Sequence, residues 1–507
     1  MASVLSHLGL QRGDVGGVWS SNLYEYVVAQ YAIIRIGAIN CSISPVYKSG
    51  ELEYALQKAK HKILFLPTSN SRQSSINDFR TVLAGVDRNK VPHLQHLVYM
   101  ESSGNSAELE TFNGSYQAHS FDELIKTSPG KVQEEVLGAV DADDAATIYF
   151  TSGTTGKPKA AVVSHFSITN NLRNILMRRE MNADDKPVIC LPLPLFHVYA
   201  GIVGLFTLSV LPATLAMVDI RYSAKSTLEV IDKYKCSDLW IVPTMLVDIN
   251  NYIKNRPGKF DLSSLKQIGA GAAPVPLEVA KESTELFPHL QRLLVGYGAT
   301  ETSAIATYPT RDVPQETILE TVGSPLDFTH VKIVDSRGKM VKHNETGELL
   351  VKGYTVMQGY LDDKEKTEEC IKNGWYHTGD LATMDSNGVC KIVGRTKELI
   401  IRGGSNIYPR EIEELLHEHP AILEAAVCGV PHPKLGEEVC AWIQLRDEKS
   451  NLTAQDVKDF CRDRISYYKV PAHVIFVKDF PRTLSGKFQK FKMTEQSIKT
   501  LNLTVKK

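Results

Sequence analysis

The chain has 507 residues, with 57 lysines and arginines against 58 aspartates and glutamates, which gives a net charge of −1. Hydrophobic cores stop growing near roughly 250–300 residues, so this length excludes a single core and predicts more than one domain. With 43% hydrophobic and 23% charged residues, the composition excludes wholesale disorder, and the neutral balance excludes a general nucleic-acid binder.

Eight cysteines are spread along the chain, and no two of them lie as close as a C-x-x-C pair. This scatter favours reduced, mostly buried thiols in an intracellular protein over a disulfide framework or a zinc site. The first 20 residues lack a basic start followed by an apolar run, so they predict no secretory signal.

Apolar, β-rich runs alternate with amphipathic stretches over most of the chain. Such alternation predicts an α/β architecture with substantially parallel sheets. The predicted strands are Lys62–Leu66, Leu94–Tyr99, Val188–Leu193, Leu239–Pro243, Lys266–Gly269 and Leu293–Gly296.

A loop rich in glycine and hydroxyl residues spans residues 149–159 and follows the strand-like run Ala146–Phe150. Free backbone N–H groups, hydroxyls and two lysines are what a polyphosphate needs, so we predict a phosphate loop in preference to an ordinary polar surface loop. It is not a Walker A loop, because Lys157 is followed by Pro158 and not by Ser or Thr.

Residues 198–218 form an uncharged stretch of 21 residues, which meets the length of about 20 that a transmembrane helix requires. Gly201, Gly204 and Pro212 interrupt the stretch, and Pro212 predicts a turn between a buried helix and a strand at Leu215–Val218. We therefore predict a core segment and no integral membrane span.

Two further glycine-rich loops, at residues 269–274 and 296–301, resemble the G-x-G-x-x-G pattern of dinucleotide-binding folds. Their last positions are Pro274 and Glu301, where a small residue is needed to pack the helix on the strand. A dehydrogenase is therefore the weakest of the functions that we considered.

The pattern changes after residue 330. Residues 331–393 combine closely spaced strands with turn pairs such as Asn387-Gly388, which predicts a β-rich subdomain. After Gly394, a small α+β unit is predicted, with helices at Pro409–His417 and Ala454–Ile465 and strands near Ala425–Val430 and Val439–Leu445.

Five motifs occur in a characteristic order: Thr151–Lys159, Tyr297–Glu301, Tyr376–Asp380, Gly394–Glu398 and Pro481–Lys487. In order and spacing they resemble the adenylate-forming superfamily, which includes acyl-CoA synthetases, coumarate-CoA ligases, firefly luciferase and peptide-synthetase adenylation domains. Residues 400–409 and 487–492 are most similar to the medium-chain acyl-CoA synthetase branch.

This resemblance implies an enzyme that joins a medium-chain fatty acid to AMP, using ATP and Mg²⁺, and then transfers the acyl group to coenzyme A. An aryl-CoA ligase of the coumarate type is the alternative with the same chemistry, and a non-catalytic nucleotide-binding relative is the alternative of a different functional class. Amino-acid-activating relatives carry Asp just after the Phe of the motif around residue 196. His197 stands there in this chain, which favours an uncharged acyl tail.

The resemblance also assigns roles to residues. Lys487 would bridge the carboxylate and the α-phosphate, Thr300 would donate to the phosphate, Glu301 would hold Mg²⁺, and His197 would gate the acyl site unless it is simply a core histidine. The expected nucleotide-binding residues are Thr151, Ser152, Gly153, Thr154, Thr155, Gly156, Lys157, Pro158 and Lys159 for the phosphates, Gly271, Ala272, Ala273 and Tyr297 for adenine, and Asp380 and Arg395 for ribose.

A large AMP-binding domain over residues 1–394 and a small mobile domain over residues 395–507 are implied, with a hinge at 395–397 that contains Lys397. The motif near Leu8–Asp14 matches a point inside the usual large domain, so we expect the family's opening segment to be missing. Since a mitochondrial presequence would lie there, a mitochondrial location is suspected, with the cytoplasm as the alternative.

Overall fold

The structure is a computed structural model that describes residues 1–68, 73, 76–100, 116–128, 130, 134–151, 157–273, 275–447, 449–462, 464–483 and 486–503. Its helices, in chain order, are α1 Ala2–His7, α2 Tyr24–Arg35, α3 Ser49–Ala59, α4 Phe79–Ala84, α5 Phe121–Lys126, α6 Glu134–Gly138, α7 His165–Arg178, α8 Thr207–Val210, α9 Ala224–Tyr234, α10 Pro243–Lys254, α11 Leu277–Leu286, α12 Gln315–Glu320, α13 Lys364–Cys370, α14 Pro409–His417, α15 Ala454–Arg462 and α16 Lys490–Thr500.

The first sheet has eight strands within the described chain, in the order β17-β7-β6-β2-β1-β3-β4-β5. They are β1 Val15–Trp19, β2 Ile39–Ile43, β3 His61–Pro67, β4 His96–Met100, β5 Gln117–Ser120, β6 Ala145–Thr151, β7 Lys159–Ser164 and β17 Gly359–Tyr360. Strands β1 to β6 pair in parallel, whereas β7 and β17 are antiparallel. Strands β1 and β4 are buried along their whole length, as parallel strands covered by helices on both faces must be.

The second sheet is wholly parallel over the described residues, in the order β12-β11-β10-β8-β9. Its strands are β8 Val188–Leu191, β9 Thr214–Met217, β10 Asp238–Ile241, β11 Gln267–Ala270 and β12 Arg292–Val295. All six strands predicted from the apolar runs are present in the two sheets. Two of them end early because proline follows: Pro192 cannot donate to a ladder, and Pro243 begins α10 at its first position.

The remaining strands form the β-rich part and the C-terminal unit. They are β13 Thr307–Tyr308, β14 Ser324–Pro325, β15 Thr329–Val334, β16 Gly347–Gly353, β18 Ile371–Lys372, β19 Trp375–Met384, β20 Cys390–Arg395, β21 Ile400–Arg402, β22 Ser405–Ile407, β23 Ile422–His432, β24 Gly436–Leu445 and β25 His473–Phe476. Strands β15, β16, β18, β19 and β20 form one sheet, and β21 to β25 form another.

The predicted fold class is therefore confirmed: parallel α/β sheets, then a β-rich subdomain, then a small α+β unit. Helix α14 has the bounds that the sequence predicted, whereas α15 ends at Arg462 and not at Ile465. In the C-terminal unit, α14 packs Ile412, Leu415 and Leu416 into a core of its own.

The uncharged stretch is a core segment, as predicted. It forms a π-helix at Tyr199–Gly204, then α8, and then β9, which lies one residue earlier than the predicted strand. No helix in the described ranges has both the length and the apolar character to cross a bilayer. All eight cysteines are free, and seven of them are buried, as the sequence predicted.

A buried ion pair crosses the second sheet. Arg179, which follows α7, donates a 2.9 Å hydrogen bond from Nη2 to Asp238 Oδ1, and both side chains are at most 6% exposed. Arg179 Nη1 also donates to the Tyr308 hydroxyl at 2.9 Å, and its guanidinium lies 5.1 Å from the Trp240 ring centre. The pair therefore joins α7 to β10 in the interior.

We expect Asp238→Ala to lower the free energy of unfolding by about 3–5 kcal/mol, because it leaves the Arg179 charge buried without its partner. Urea denaturation followed by tryptophan fluorescence measures this change. As the control, Glu278→Ala removes the partner of Lys281 from an exposed pair and should leave the denaturation midpoint nearly unchanged. Equal shifts in the two variants would contradict the expectation.

Candidate active site

The site lies where parallel strands of both sheets reach their carboxyl ends, the edge at which open α/β sheets bind ligands. Strand β11 ends at Ala270 and delivers Gly271, Ala272 and Ala273, and β12 ends at Val295 and delivers Tyr297. Strand β8 precedes the segment that carries His197, and β6 ends at Thr151, where the predicted phosphate loop begins. Of that loop, Ser152, Gly153, Thr154, Thr155 and Gly156 lie outside the described residues.

Three predicted nucleotide-binding residues are in direct contact. The Tyr297 hydroxyl donates a 2.6 Å hydrogen bond to Asp380 Oδ2, and Arg395 Nε donates a 2.8 Å bond to Asp380 Oδ1. Burial and the Asp380 carboxylate raise the pKa of Tyr297 well above its ordinary value, and the same carboxylate raises the pKa of Arg395. Each Asp380 oxygen keeps a lone pair for a further donor, such as a ribose hydroxyl.

Lys487 reaches the site from the C-terminal unit. It lines a cavity of about 30 Å³, roughly one or two water molecules, together with His197, Thr300 and Ala272, among others. Burial and the positive charge of Arg395 lower the pKa of Lys487 to about 8, while the carboxylates of Asp380, Glu301 and Glu398 oppose that shift. The structure thus brings Lys487 into one electrostatic environment with the residues predicted to act with it.

His197 lies in the wall of this cavity and is only partly exposed. Burial, and then the charge of Lys487, lower its pKa to about 3, so the imidazole is neutral near pH 7. The Tyr199 N–H lies 3.4 Å from His197 Nδ1, a long contact that leaves the ring weakly held. The structure thus places a neutral side chain on the cavity wall, and the gate stays a prediction.

Glu301 is held by a residue that the sequence did not single out. The Tyr360 hydroxyl donates a 2.7 Å hydrogen bond to Glu301 Oε1, and the Lys159 ammonium lies 4.8 Å from the centre of the same Tyr360 ring. A second tyrosine, Tyr54, donates to the Pro158 carbonyl at 2.9 Å, and its ring centre lies 5.0 Å from the Lys157 ammonium. Both tyrosines are far in sequence from their partners, and no motif marks them.

Lys397 lies in a 3-10 turn, Thr396–Glu398, that follows β20, and its side chain is exposed. The neighbouring Glu398 forms an ion pair with Lys490, with Oε2 at 3.4 Å from Nζ. The same Nζ lies 2.8 Å from Glu413 Oε1. Burial opposes the Lys490 charge, but the two carboxylates outweigh it and raise the pKa of that lysine. The sequence analysis singled out Lys397 as part of a hinge, but no motif indicated that Glu398 and Glu413 would both contact Lys490.

The turn that carries Thr300 and Glu301 has an unusual backbone. Ser303 and Ala304 adopt positive φ angles of 52° and 87°, and Ala272, across the cavity, has a φ of 70°. Strained conformations of non-glycine residues persist only where the surrounding structure holds them, and they cluster at functional sites. The strain therefore coincides with the predicted adenine and phosphate positions.

The chain is similar to known proteins over nearly its whole length. A family model described as AMP-binding enzyme matches residues 1–361, and a model described as AMP-binding enzyme C-terminal domain matches residues 411–487. A Danio rerio protein, medium-chain acyl-CoA ligase ACSF2, mitochondrial, is 36% identical over 99% of this chain and 82% of its own length. The Bacillus subtilis protein YngI is 35% identical over 99% of this chain and 91% of its own length.

Among solved structures, ATP-bound MatB from Rhodopseudomonas palustris matches with a TM-score of 0.80 and 25% identity, over 98% of this chain and 91% of its own. The family matches and the relatives confirm the resemblance that the five ordered motifs indicated. They do not locate the boundary predicted between residues 394 and 395, which stays a prediction.

We expect Gly298→Ala to destabilise the site turn, because the added Cβ would lie 2.1 Å from the Ala304 carbonyl oxygen. Forced overpacking of this kind costs about 1–3 kcal/mol. Gly271→Ala is the matched control, since its Cβ would lie 3.6 Å from the nearest atom, on the Tyr199 ring. Thermal unfolding of the two variants measures the difference, and equal melting temperatures would contradict it.

Proposed function

Because the chain belongs to the AMP-binding enzyme family, we propose that it is an ATP-dependent acyl-CoA ligase that activates a medium-chain fatty acid. In the first half-reaction the fatty-acid carboxylate attacks the α-phosphate of ATP, and pyrophosphate leaves. In the second, the thiol of coenzyme A attacks the carbonyl carbon of the acyl-adenylate, and AMP leaves.

The observation that carries the proposal is the position of Lys487. A carboxylate and a triphosphate repel each other, so the first half-reaction needs positive charge where the two anions meet. Lys487 lines the same cavity as Thr300 and His197 and is within electrostatic reach of Asp380 and Glu301. Its ammonium is thus available to both anions, and because His197 is neutral, the positive charge at the described cavity wall comes from Lys487.

The nucleotide would be held by the groups around that lysine. Asp380 would accept the ribose hydroxyls, Arg395 would keep its carboxylate oriented, and Tyr297 would face adenine with Gly271, Ala272 and Ala273 on the other side. Thr151 and the lysines at 157 and 159 would bind the β- and γ-phosphates. The ATP in the similar MatB structure supports ATP as the nucleotide.

Mg²⁺ fits the carboxylate chemistry of the site. Mg²⁺ keeps several waters and commonly takes only one or two protein carboxylates together with substrate phosphates. Glu301 offers one carboxylate, and no cluster of three or more metal-ligating side chains occurs among the described residues. Bound with ATP, Mg²⁺ would neutralise phosphate charge, and Glu301 would be the residue that holds it.

The second half-reaction requires space for coenzyme A where Lys487 now lies. We therefore propose that the unit beyond residue 394 rotates about Lys397 between the two steps. A few residues at the end of an element can absorb such a motion. The exposed side chain of Lys397 would lose little packing in the rotation.

The acyl preference is the finest part of the proposal. An apolar π-helix, Tyr199–Gly204, follows His197 and is buried throughout, which suits an uncharged aliphatic tail. The name of the Danio rerio relative, a medium-chain acyl-CoA ligase that is mitochondrial, supports both the chain length and a mitochondrial location. The Bacillus subtilis relative has nearly the same identity and comes from an organism without mitochondria, so the location stays a prediction.

Pyrophosphate release from ATP, measured with straight-chain acids from C4 to C18 and with coumarate, tests the proposal. We expect kcat/KM to rise with chain length up to the medium-chain acids and to level off beyond them, because each buried CH₂ contributes about 0.8 kcal/mol until the tail site is full. Activity only with coumarate would favour the aryl-CoA alternative. No release with any acid would contradict the proposed function.

We expect Lys487→Ala to lose adenylation by at least about a hundredfold, the scale for removal of a group that stabilises transition-state charge. Transfer to coenzyme A from a synthetic acyl-adenylate should persist, because Lys487 leaves the site in that step. The two half-reactions are measured separately. Loss of both to the same degree would show that the substitution acts on folding and not on the first step.

We also expect adenylation to fall as the pH rises through about 8. The folded-state pKa of Lys487 lies below that of an ordinary lysine, so the ammonium is present below about pH 8 and is lost above it. The Lys487→Arg variant keeps its charge to much higher pH and should lack this alkaline limb. A limb of unchanged position in the arginine variant would assign the titration to another group.

A further inference from the structure

Tyr360 contacts two groups of opposite charge on different parts of the fold. Its hydroxyl donates to Glu301 Oε1 at 2.7 Å, and the Lys159 ammonium lies 4.8 Å from its ring centre. Glu301 follows the second sheet, whereas Lys159 begins β7 of the first sheet. The Tyr360 side chain therefore links Glu301, the expected Mg²⁺ ligand, to Lys159, which is expected to bind phosphate.

The backbone holds this tyrosine firmly. Tyr360 is buried and pairs with Ala161 in the antiparallel ladder between β17 and β7. Its N–H donates to Thr367 Oγ1 at 2.9 Å, and the next residue, Leu361, donates its N–H to the Ala160 carbonyl at 2.8 Å. The ring is thus fixed to the strand that begins at Lys159, and so is the hydroxyl that meets Glu301.

The contacts orient Glu301 and Lys159 and keep their charges. A phenol hydroxyl is a neutral donor, so its hydrogen bond orients the Glu301 carboxylate without forming an ion pair. Over the described part of the chain, Oε2 of Glu301 makes no hydrogen bond, which leaves it for a cation. The negative face of an aromatic ring attracts an ammonium by about 0.5–1 kcal/mol at exposed sites and leaves its charge intact.

We propose that Tyr360 is a positioning residue, which orients Glu301 toward Mg²⁺ through its hydroxyl and Lys159 toward the ATP phosphates through its ring. This inference rests on the proposed function, since it takes ATP and Mg²⁺ as the ligands. Tyr360 lies outside the five motifs. Its hydroxyl would act on Glu301 and its ring on Lys159, so the two effects can be separated.

Two substitutions separate the parts. Tyr360→Phe removes the hydroxyl and keeps the ring, whereas Tyr360→Leu removes both. Partners that orient metal ligands typically contribute 10–100-fold to metal affinity, so we expect the phenylalanine variant to need about tenfold more Mg²⁺ for half-maximal ATP binding. Its binding of ATP without Mg²⁺ should be unchanged. The leucine variant should also bind Mg²⁺-free ATP about threefold more weakly.

Isothermal titration calorimetry with ATP, at a series of Mg²⁺ concentrations and without acid or coenzyme A, gives these values independently of turnover. Tyr31→Phe is the matched control. It removes a hydroxyl that donates to the Leu205 carbonyl at 2.8 Å and keeps the ring, and its described contacts include neither Glu301 nor Lys159. We expect its Mg²⁺ dependence to equal that of the unmodified chain.

A Tyr360→Phe variant with unchanged Mg²⁺ dependence would overturn the role of the hydroxyl, and so would an equal shift in Tyr31→Phe. Equal Mg²⁺-free affinities for the phenylalanine and leucine variants would overturn the role of the ring. Thermal melting checks that each variant is folded. If the leucine variant does not fold, the phenylalanine variant alone still decides the role of the hydroxyl. If the unmodified chain does not bind ATP, the proposed function fails. That outcome differs from a failure of the Tyr360 proposal, in which the unmodified chain binds ATP and the variants do not shift as expected.

Discussion

The proposed function depends on keeping Lys487 charged in a cavity with room for only one or two water molecules. Dehydration favours the neutral amine, and the nearby Arg395 adds to that effect, so only opposite charge can retain the ammonium of Lys487. That charge comes from three segments: Glu301 after β12, Asp380 on β19 and Glu398 after β20. The second sheet and the β-rich sheet must therefore meet at one point for this lysine to function.

A common device orients the charged groups that would meet the nucleotide. Tyr297 donates to Asp380, Tyr360 donates to Glu301, and the rings of Tyr360 and Tyr54 face Lys159 and Lys157. A neutral phenol fixes a carboxylate without cancelling its charge, and an aromatic face holds an ammonium in the same way. Direct ion pairs between these lysines and carboxylates would have consumed the charges that Mg²⁺ and the phosphates require.

The sequence predicted the elements whose apolar pattern is contained within a short stretch of chain. The six apolar runs are strands because burial on both faces of a parallel sheet demands continuous apolar stretches, and α14 was predictable from Pro409 and its apolar spacing. The order of the motifs also predicted that Tyr297, Asp380 and Arg395 belong together, and they are in contact. Tyr54 and Tyr360 could not be predicted, because each acts on a partner that only the tertiary fold brings near.

Hydrogen bonds join the described residues on the two sides of Lys487, and this limits how the lysine could leave. The Thr483 N–H donates to the Lys487 carbonyl at 2.8 Å, and the Gln489 N–H donates to the Pro481 carbonyl at 2.8 Å, so residues 481–483 are tied to residues 487–489. Helix α16 begins directly after these residues and is tied to α14 through Lys490 and Glu413.

Bending of this segment would break those bonds, and so would its separation from the C-terminal core. The proposed alternation therefore requires that the whole unit turns as one body. Glu398 is bound to Lys490, which places the end of the 3-10 turn with the moving unit, while Arg395 is bound to Asp380 on the other side. Only Thr396 and Lys397 lie between these two anchors, so the proposed rotation would have to turn at these two residues.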